Sequence, residues 1–99
     1  MKAEILKTKK RLDVIVEGKL DAVTSPEFEE KLMPALNDIN TLVFDFSKLL
    51  TISSAGLRVL LTAAKRMDEL GGTSTVKNAS EDVKKVFRLT GFIDVLNVI

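Results

Sequence analysis

The chain has 99 residues, of which 45% are hydrophobic and 29% are charged, and its net charge is +1. This composition is typical of one small globular domain, and the even mix of charges gives no electrostatic basis for binding nucleic acid or an acidic membrane. The absence of His and Cys excludes a Ser-His-Asp or Cys-His nucleophile within one chain and the usual kinds of zinc site. We therefore expect a protein without catalytic activity, cofactor or metal.

Targeting segments are not evident. No apolar run approaches the ~20 residues that span a bilayer. The segment Met1–Asp13 lacks the continuous apolar stretch of a signal peptide. We expect a cytoplasmic location and no membrane partner.

The first third of the chain predicts a β-hairpin and then a helix. The segment Ala3–Gly18 reads as two strands around a turn at Lys9–Lys10. Either Thr24 or Ser25 can cap the following helix, and Pro26 suits a first helical position. A second proline, Pro34, should kink this helix or end it early.

The middle of the chain predicts a strand and a second helix. The nearly continuous apolar run Thr41–Phe46 is typical of a central strand covered on both faces, and a loop at 47–50 should follow. An amphipathic helix then begins after the pair Ser53–Ser54 and stops at Gly71–Gly72.

The last third predicts a strand at Thr73–Lys77 and a third helix capped by Ser80 and ended by Gly91. Four apolar residues of this helix should point inward: Val83, Val86, Phe87 and Leu89. Residues 92–99 form either a short helix or an edge strand, which periodicity does not separate.

The resulting order is β-β-α-β-α-β-α plus a terminal helix or strand. Strands that alternate with helices predict an α/β fold with a mixed, mostly parallel sheet of four to five strands and three to four helices. No linker or internal repeat divides the chain, so residues 1–99 are expected to form one domain.

Functional groups in such sheets gather where strands end and helices begin. The predicted strand ends place seven polar residues at that edge: Asp21, Asp45, Ser47, Ser53, Ser54, Asn78 and Ser80. We expect Asp21, Asp45 and the serine pair to lie close together.

The pair Ser53–Ser54 has a local and a functional interpretation. A serine before an apolar helical repeat is most often only an N-cap. However, two serines are present and only one can be the cap. Gly56 also lies inside the helix, where glycine costs up to ~1 kcal/mol relative to alanine. That glycine is understandable if another chain or group approaches the backbone closely.

As a whole, the chain resembles a STAS domain, the family of bacterial anti-sigma-factor antagonists. Three segments carry the resemblance: Glu17–Leu32 (EGKLDAVTSPEFEEKL), Leu42–Leu61 (LVFDFSKLLTISSAGLRVLL) and Val86–Phe92 (VFRLTGF). The second is similar to the family signature of an apolar strand, Asp-x-Ser, a loop, and a Ser-bearing turn before a Gly-Leu helix.

The resemblance implies a protein that switches partners. Unphosphorylated, it would bind an anti-sigma factor that is itself a serine kinase of the GHKL ATPase type, and a metal-dependent serine phosphatase would reverse the phosphorylation. The position two residues before Gly56 matches the family's phosphoacceptor, which is Ser54, with Ser53 the less expected acceptor. Many members carry Asp where this chain has Ser53. The candidate flanking and partner-binding residues are Asp21, Asp45, Ser47, Ser53, Gly56, Leu57 and Arg58.

Two other functions stay open at this point. The chain could be a STAS scaffold subunit of a stress-signalling assembly that is never phosphorylated. It could also be a small hydrolase or ligand-binding domain built on the same serine, although the absence of His and Cys counts against an enzyme.

Overall fold

A computed structural model describes residues 1–99. It begins with the predicted hairpin. Strands β1 (Lys2–Thr8) and β2 (Arg11–Leu20) pair antiparallel. The turn between them contains Lys9, whose φ of 54° lies in the left-handed region. The hairpin turn predicted at Lys9–Lys10 is thereby confirmed.

The remaining elements follow in the predicted order. They are helix α1 (Ser25–Leu32), a 3₁₀ turn (Met33–Leu36), strand β3 (Thr41–Ile52), helix α2 (Ser54–Glu69), strand β4 (Thr73–Lys77), helix α3 (Glu81–Thr90), a 3₁₀ turn (Phe92–Asp94) and strand β5 (Asn97–Val98). The terminal segment thus contains both a helical turn and a short edge strand. Helix α1 ends at Leu32, two residues before Pro34, as the ring of that proline requires.

The five strands form one sheet in the order β1-β2-β3-β4-β5. Only the β1–β2 pair is antiparallel, and the other three pairs are parallel. The predicted α/β fold with a mixed, mostly parallel sheet is confirmed. No helix is long and apolar enough to cross a membrane.

One hydrophobic cluster of 22 buried residues joins the sheet to all three helices. Val14, Phe44 and Val76, which lie in one row across β2, β3 and β4, belong to it. Because alternate strand residues point to opposite faces, the helices cover one face of the sheet. Val43 lies on the other face and outside the cluster. It is only 6% exposed, but the buried residues of all three helices belong to the cluster on the first face, so the prediction that β3 is covered on both faces is wrong in that the helices cover one face.

In helix α3, the prediction that four apolar residues point inward is wrong for Leu89. Val83 and Phe87 are buried, and the rings of Phe87 and Phe46 stack at a centroid distance of 6.4 Å. Leu89, however, is 77% exposed rather than inward-facing. At 100° per residue, Leu89 lies about 200° around the helix from Phe87, on the solvent side.

Strand β3 is six residues longer than the apolar run predicts. The predicted loop at 47–50 is strand, because β2 extends alongside it with Gly18 opposite Leu49 and Leu20 opposite Ile52. The pairing contains two register shifts, and the φ of Gly18 is 95°. Such irregularities bend a strand and break its simple alternation, which is why the pattern after Phe46 does not read as a strand.

Candidate functional site

The junction between β3 and α2 separates the roles of the two serines. Ser53 is the N-cap of α2, in an extended conformation, and its Oγ accepts a 3.4 Å hydrogen bond from the N–H of Gly56. Ser54 is the first residue of the helix and its side chain is exposed. Capping therefore explains Ser53 and leaves Ser54 accessible.

The end of β2 lies beside this junction. The N–H of Ser53 donates a 2.9 Å hydrogen bond to the carbonyl oxygen of Leu20. Asp21 directly follows Leu20 in the chain and therefore lies near the start of α2. This agrees with the prediction that Asp21 lies close to the serine pair.

Asp21 organises its own loop. Its Oδ1 accepts hydrogen bonds from the N–H groups of Thr24 (3.1 Å) and Val23 (3.0 Å). The pKa of Asp21 lies below its usual value, chiefly because of the Thr24 N–H; desolvation opposes this effect, and the Val23 N–H adds to it. The carboxylate is therefore an acceptor that holds the turn before α1.

Asp45 does not join the serines. It lies opposite Ile15 of β2 and Lys77 of β4, and five residues of β2 separate its register position from that of Ile52. At the usual rise of a strand, this separation is roughly 16 Å. The prediction that Asp45 lies close to the serine pair is wrong, because β3 continues where a loop was expected.

Asp45 instead belongs to a small polar group at the end of β4. Its Oδ1 accepts hydrogen bonds from the N–H of Ser47 (3.0 Å) and from Nδ2 of Asn78 (3.2 Å). Partial burial acts to raise the pKa of Asp45. These hydrogen bonds, together with the Ser47 side chain and the positive charge of Lys77, outweigh it, and the pKa lies below its usual value. Ser80 is the N-cap of α3, as predicted, and its Oγ accepts from the N–H of Val83 at 3.2 Å.

Gly56 and Leu57 face the protein interior and are buried. A Cβ at position 56 would stand 2.8 Å from Cγ of Leu20 and 2.9 Å from the Leu20 carbonyl oxygen. The group that approaches the Gly56 backbone is therefore β2 of the same chain, so the expected close approach is present and comes from within the chain.

The exposed surface of the turn before α1 and of the α1–α2 groove contains residues that the sequence pattern did not single out. Val23, in the turn before α1, is 86% exposed, and a large apolar residue in a polar turn was the available signal for it. A groove lies between α1 and α2, and its lining residues are Ala22, Ser25, Pro26, Glu29, Ala55, Arg58 and Val59. No group of three or more acidic side chains is arranged to hold a metal ion.

The STAS domain model matches residues 3–99, so the chain belongs to the STAS domain family. Its homologues include the anti-sigma-B factor antagonist of Bacillus subtilis strain 168, which is 26% identical over 87 residues, covering 88% of this chain and 80% of the relative. The predicted family membership is thereby confirmed.

Solved structures agree with this fold. An anti-sigma factor antagonist from Mycobacterium paratuberculosis has a TM-score of 0.86 at 22% identity, with 98% of this chain and 83% of that one covered. The cell fate determinant SpoIIAA of Bacillus, in its phosphorylated form, has a TM-score of 0.79 at 19% identity, with 99% of this chain and 91% of that one covered.

Proposed function

We propose that the chain is an anti-sigma-factor antagonist that is controlled by phosphorylation of Ser54. Unphosphorylated, it binds an anti-sigma factor with GHKL-type serine kinase activity. The kinase phosphorylates Ser54 and binding ends, and a metal-dependent serine phosphatase restores the binding form. The protein itself acts in the cytoplasm and catalyses no reaction.

The observation that carries this proposal is that Ser53 caps helix α2 whereas the Ser54 side chain is exposed. The N-cap hydrogen bond uses Ser53, and Ser54 is exposed as the first residue of α2. A kinase can therefore reach the Ser54 hydroxyl without breaking the N-cap hydrogen bond between Ser53 and Gly56. The relationship to anti-sigma-factor antagonists, one of which is known in a phosphorylated form, supports control by phosphorylation.

Electrostatics explain how one phosphate could end binding while the fold stays intact. The N–H groups of Ser54 and Ala55 are among the first four of α2, which have no partner within the helix, and a helix N-terminus favours negative charge. The phosphate adds a charge of about −1.5 to −2 at neutral pH. At an interface suited to a neutral hydroxyl, this charge must be desolvated and repels nearby acids, which weakens binding.

Mass spectrometry after incubation with ATP in a lysate of the source cells tests the proposal. We expect one added phosphate on the Ser54 peptide, its loss in Ser54→Ala, and its retention in Ser53→Ala. Phosphate on Ser53 alone would overturn the acceptor assignment. No phosphate, while a control substrate is phosphorylated in the same lysate, would favour the unphosphorylated scaffold subunit instead.

A further inference from the structure

We propose that Arg58 forms an ion pair with the phosphate on Ser54 and so sets how much negative charge the phosphorylated surface presents to a partner. This inference rests on the proposed phosphorylation of Ser54 and names a residue of the same helix that would bind the phosphate.

The spacing on α2 brings the two side chains together. Ser54 and Arg58 are four residues apart in the same helix, and both are exposed. Residues at this spacing have Cβ atoms about 5–6 Å apart, and helical side chains lean toward the N-terminus. The Arg58 side chain can therefore reach the turn that begins with Ser54. A negative group placed four residues before a positive one is also the favourable order along a helix.

Arg58 has no competing ion pair in the structure. The three ion pairs join Lys10 to Asp38, Arg11 to Asp13, and Arg88 to Glu81. Glu29 lines the same groove as Arg58, but the two side chains form no ion pair. The guanidinium is consequently available to a new anion.

The charge pattern of the helix starts points to the same pairing. The first turn of α1 contains Glu27, and that of α3 contains Glu81 and Asp82. The first turn of α2 has no acidic residue, and the charged residue that follows it is the cation Arg58. A positive charge near a helix N-terminus is unfavourable. A phosphate on Ser54 supplies the missing negative charge, and a guanidinium can bind phosphate through two parallel hydrogen bonds.

The test uses full-length protein with phosphoserine installed at position 54 during translation, so that no kinase is needed. A ³¹P NMR titration then measures the second pKa of the phosphate in the wild-type sequence, in Arg58→Gln and in Arg58→Lys. Lys65→Gln is the matched control, because it removes one exposed positive charge about 10 Å further along the same helix than Arg58.

We expect the second pKa of the phosphate to be lower by about 0.3 in wild type than in Arg58→Gln. The value for Arg58→Lys should lie between these two, and that for Lys65→Gln should equal the wild-type value. The difference should shrink in 1 M salt, where exposed charges are screened. Equal titration of wild type and Arg58→Gln, or an equal shift in Lys65→Gln, would overturn the pairing. Failure of Ser54 phosphorylation in the lysate experiment would reject the proposed function and leave this measurement unaffected.

Discussion

Leu20 at the end of β2 holds the start of α2 through Ser53: its carbonyl oxygen accepts the Ser53 N–H at 2.9 Å. The same carbonyl lies 2.9 Å from the place that a Cβ on Gly56 would occupy. One backbone group thus positions the N-cap and requires a glycine one turn later. The proposed phosphoacceptor, Ser54, stands between these two constrained positions.

The first prediction concerns Gly56→Ala. Alanine is the better helix former by about 1 kcal/mol, but its Cβ would collide with the Leu20 backbone. We expect the free energy of unfolding to fall by about 1–3 kcal/mol, measured by urea denaturation. Ser54→Ala, in the same turn but exposed, should change it by less than about 0.5 kcal/mol. A Gly56→Ala protein as stable as wild type would show that the contact with Leu20 relaxes easily.

The second prediction separates the two serines by stability. Ser53→Ala removes the cap acceptor and should cost about 0.5–1 kcal/mol, at the low end for a cap because the hydrogen bond is 3.4 Å long. Ser53→Asp should keep the wild-type stability, since Asp caps equally well and its charge suits the helix N-terminus. Guanidinium denaturation measures both variants. A loss in Ser54→Ala as large as that in Ser53→Ala would contradict the assignment of the cap.

The third prediction is a pH dependence that arises from Asp21. Because the pKa of this carboxyl is lower in the folded protein than its ordinary value of 3.8, the carboxylate stabilises the fold above that value. This contribution is lost as the pH falls through the lowered folded pKa. Asp21→Asn keeps a side-chain oxygen acceptor but removes the charge. We expect it to be less stable than wild type at pH 7, and we expect this difference to shrink as the pH falls below 3.8.

Urea denaturation from pH 7 to pH 3 measures this convergence. Asp21→Ala serves as the control, because it removes the acceptor for the N–H groups of Val23 and Thr24 altogether. Its deficit should therefore persist at low pH. If the deficit of Asp21→Asn stayed constant over the whole range, the charge would not be the stabilising feature.

The fourth prediction contrasts two apolar residues of α3. Phe87 is fully buried, and Phe87→Ala should lower the free energy of unfolding by about 3–5 kcal/mol. Leu89 is 77% exposed, and Leu89→Ser should change it by less than about 0.5 kcal/mol. Thermal and urea denaturation compare the two. A large loss in Leu89→Ser would mean that this face of α3 is covered in solution.

The local features of this fold could be predicted from the sequence because they depend on neighbouring residues. Helix α3 begins at the cap hydrogen bond of Ser80 and ends at Gly91, whose φ of 80° is left-handed. Pro34 ends helix α1 by acting on the preceding turn. The resemblance to the STAS family was likewise visible in contiguous segments. The pair Ser53–Ser54 could be placed at a helix start, but which serine capped it depended on the conformation of each.

The remaining features of the fold and the site were decided only by the tertiary structure, because they depend on contacts between segments that are distant in sequence. The length of β3 follows from its pairing with Gly18–Leu20, across a bulge that hides the alternation. That pairing moves Asp45 away from the serines and brings it to Asn78. The sequence indicates that some group approaches the Gly56 backbone, but it does not identify that group, because Leu20 is 36 residues away along the chain. A pattern along the chain reports which groups are apolar or polar, whereas their neighbours are selected by how the strands align.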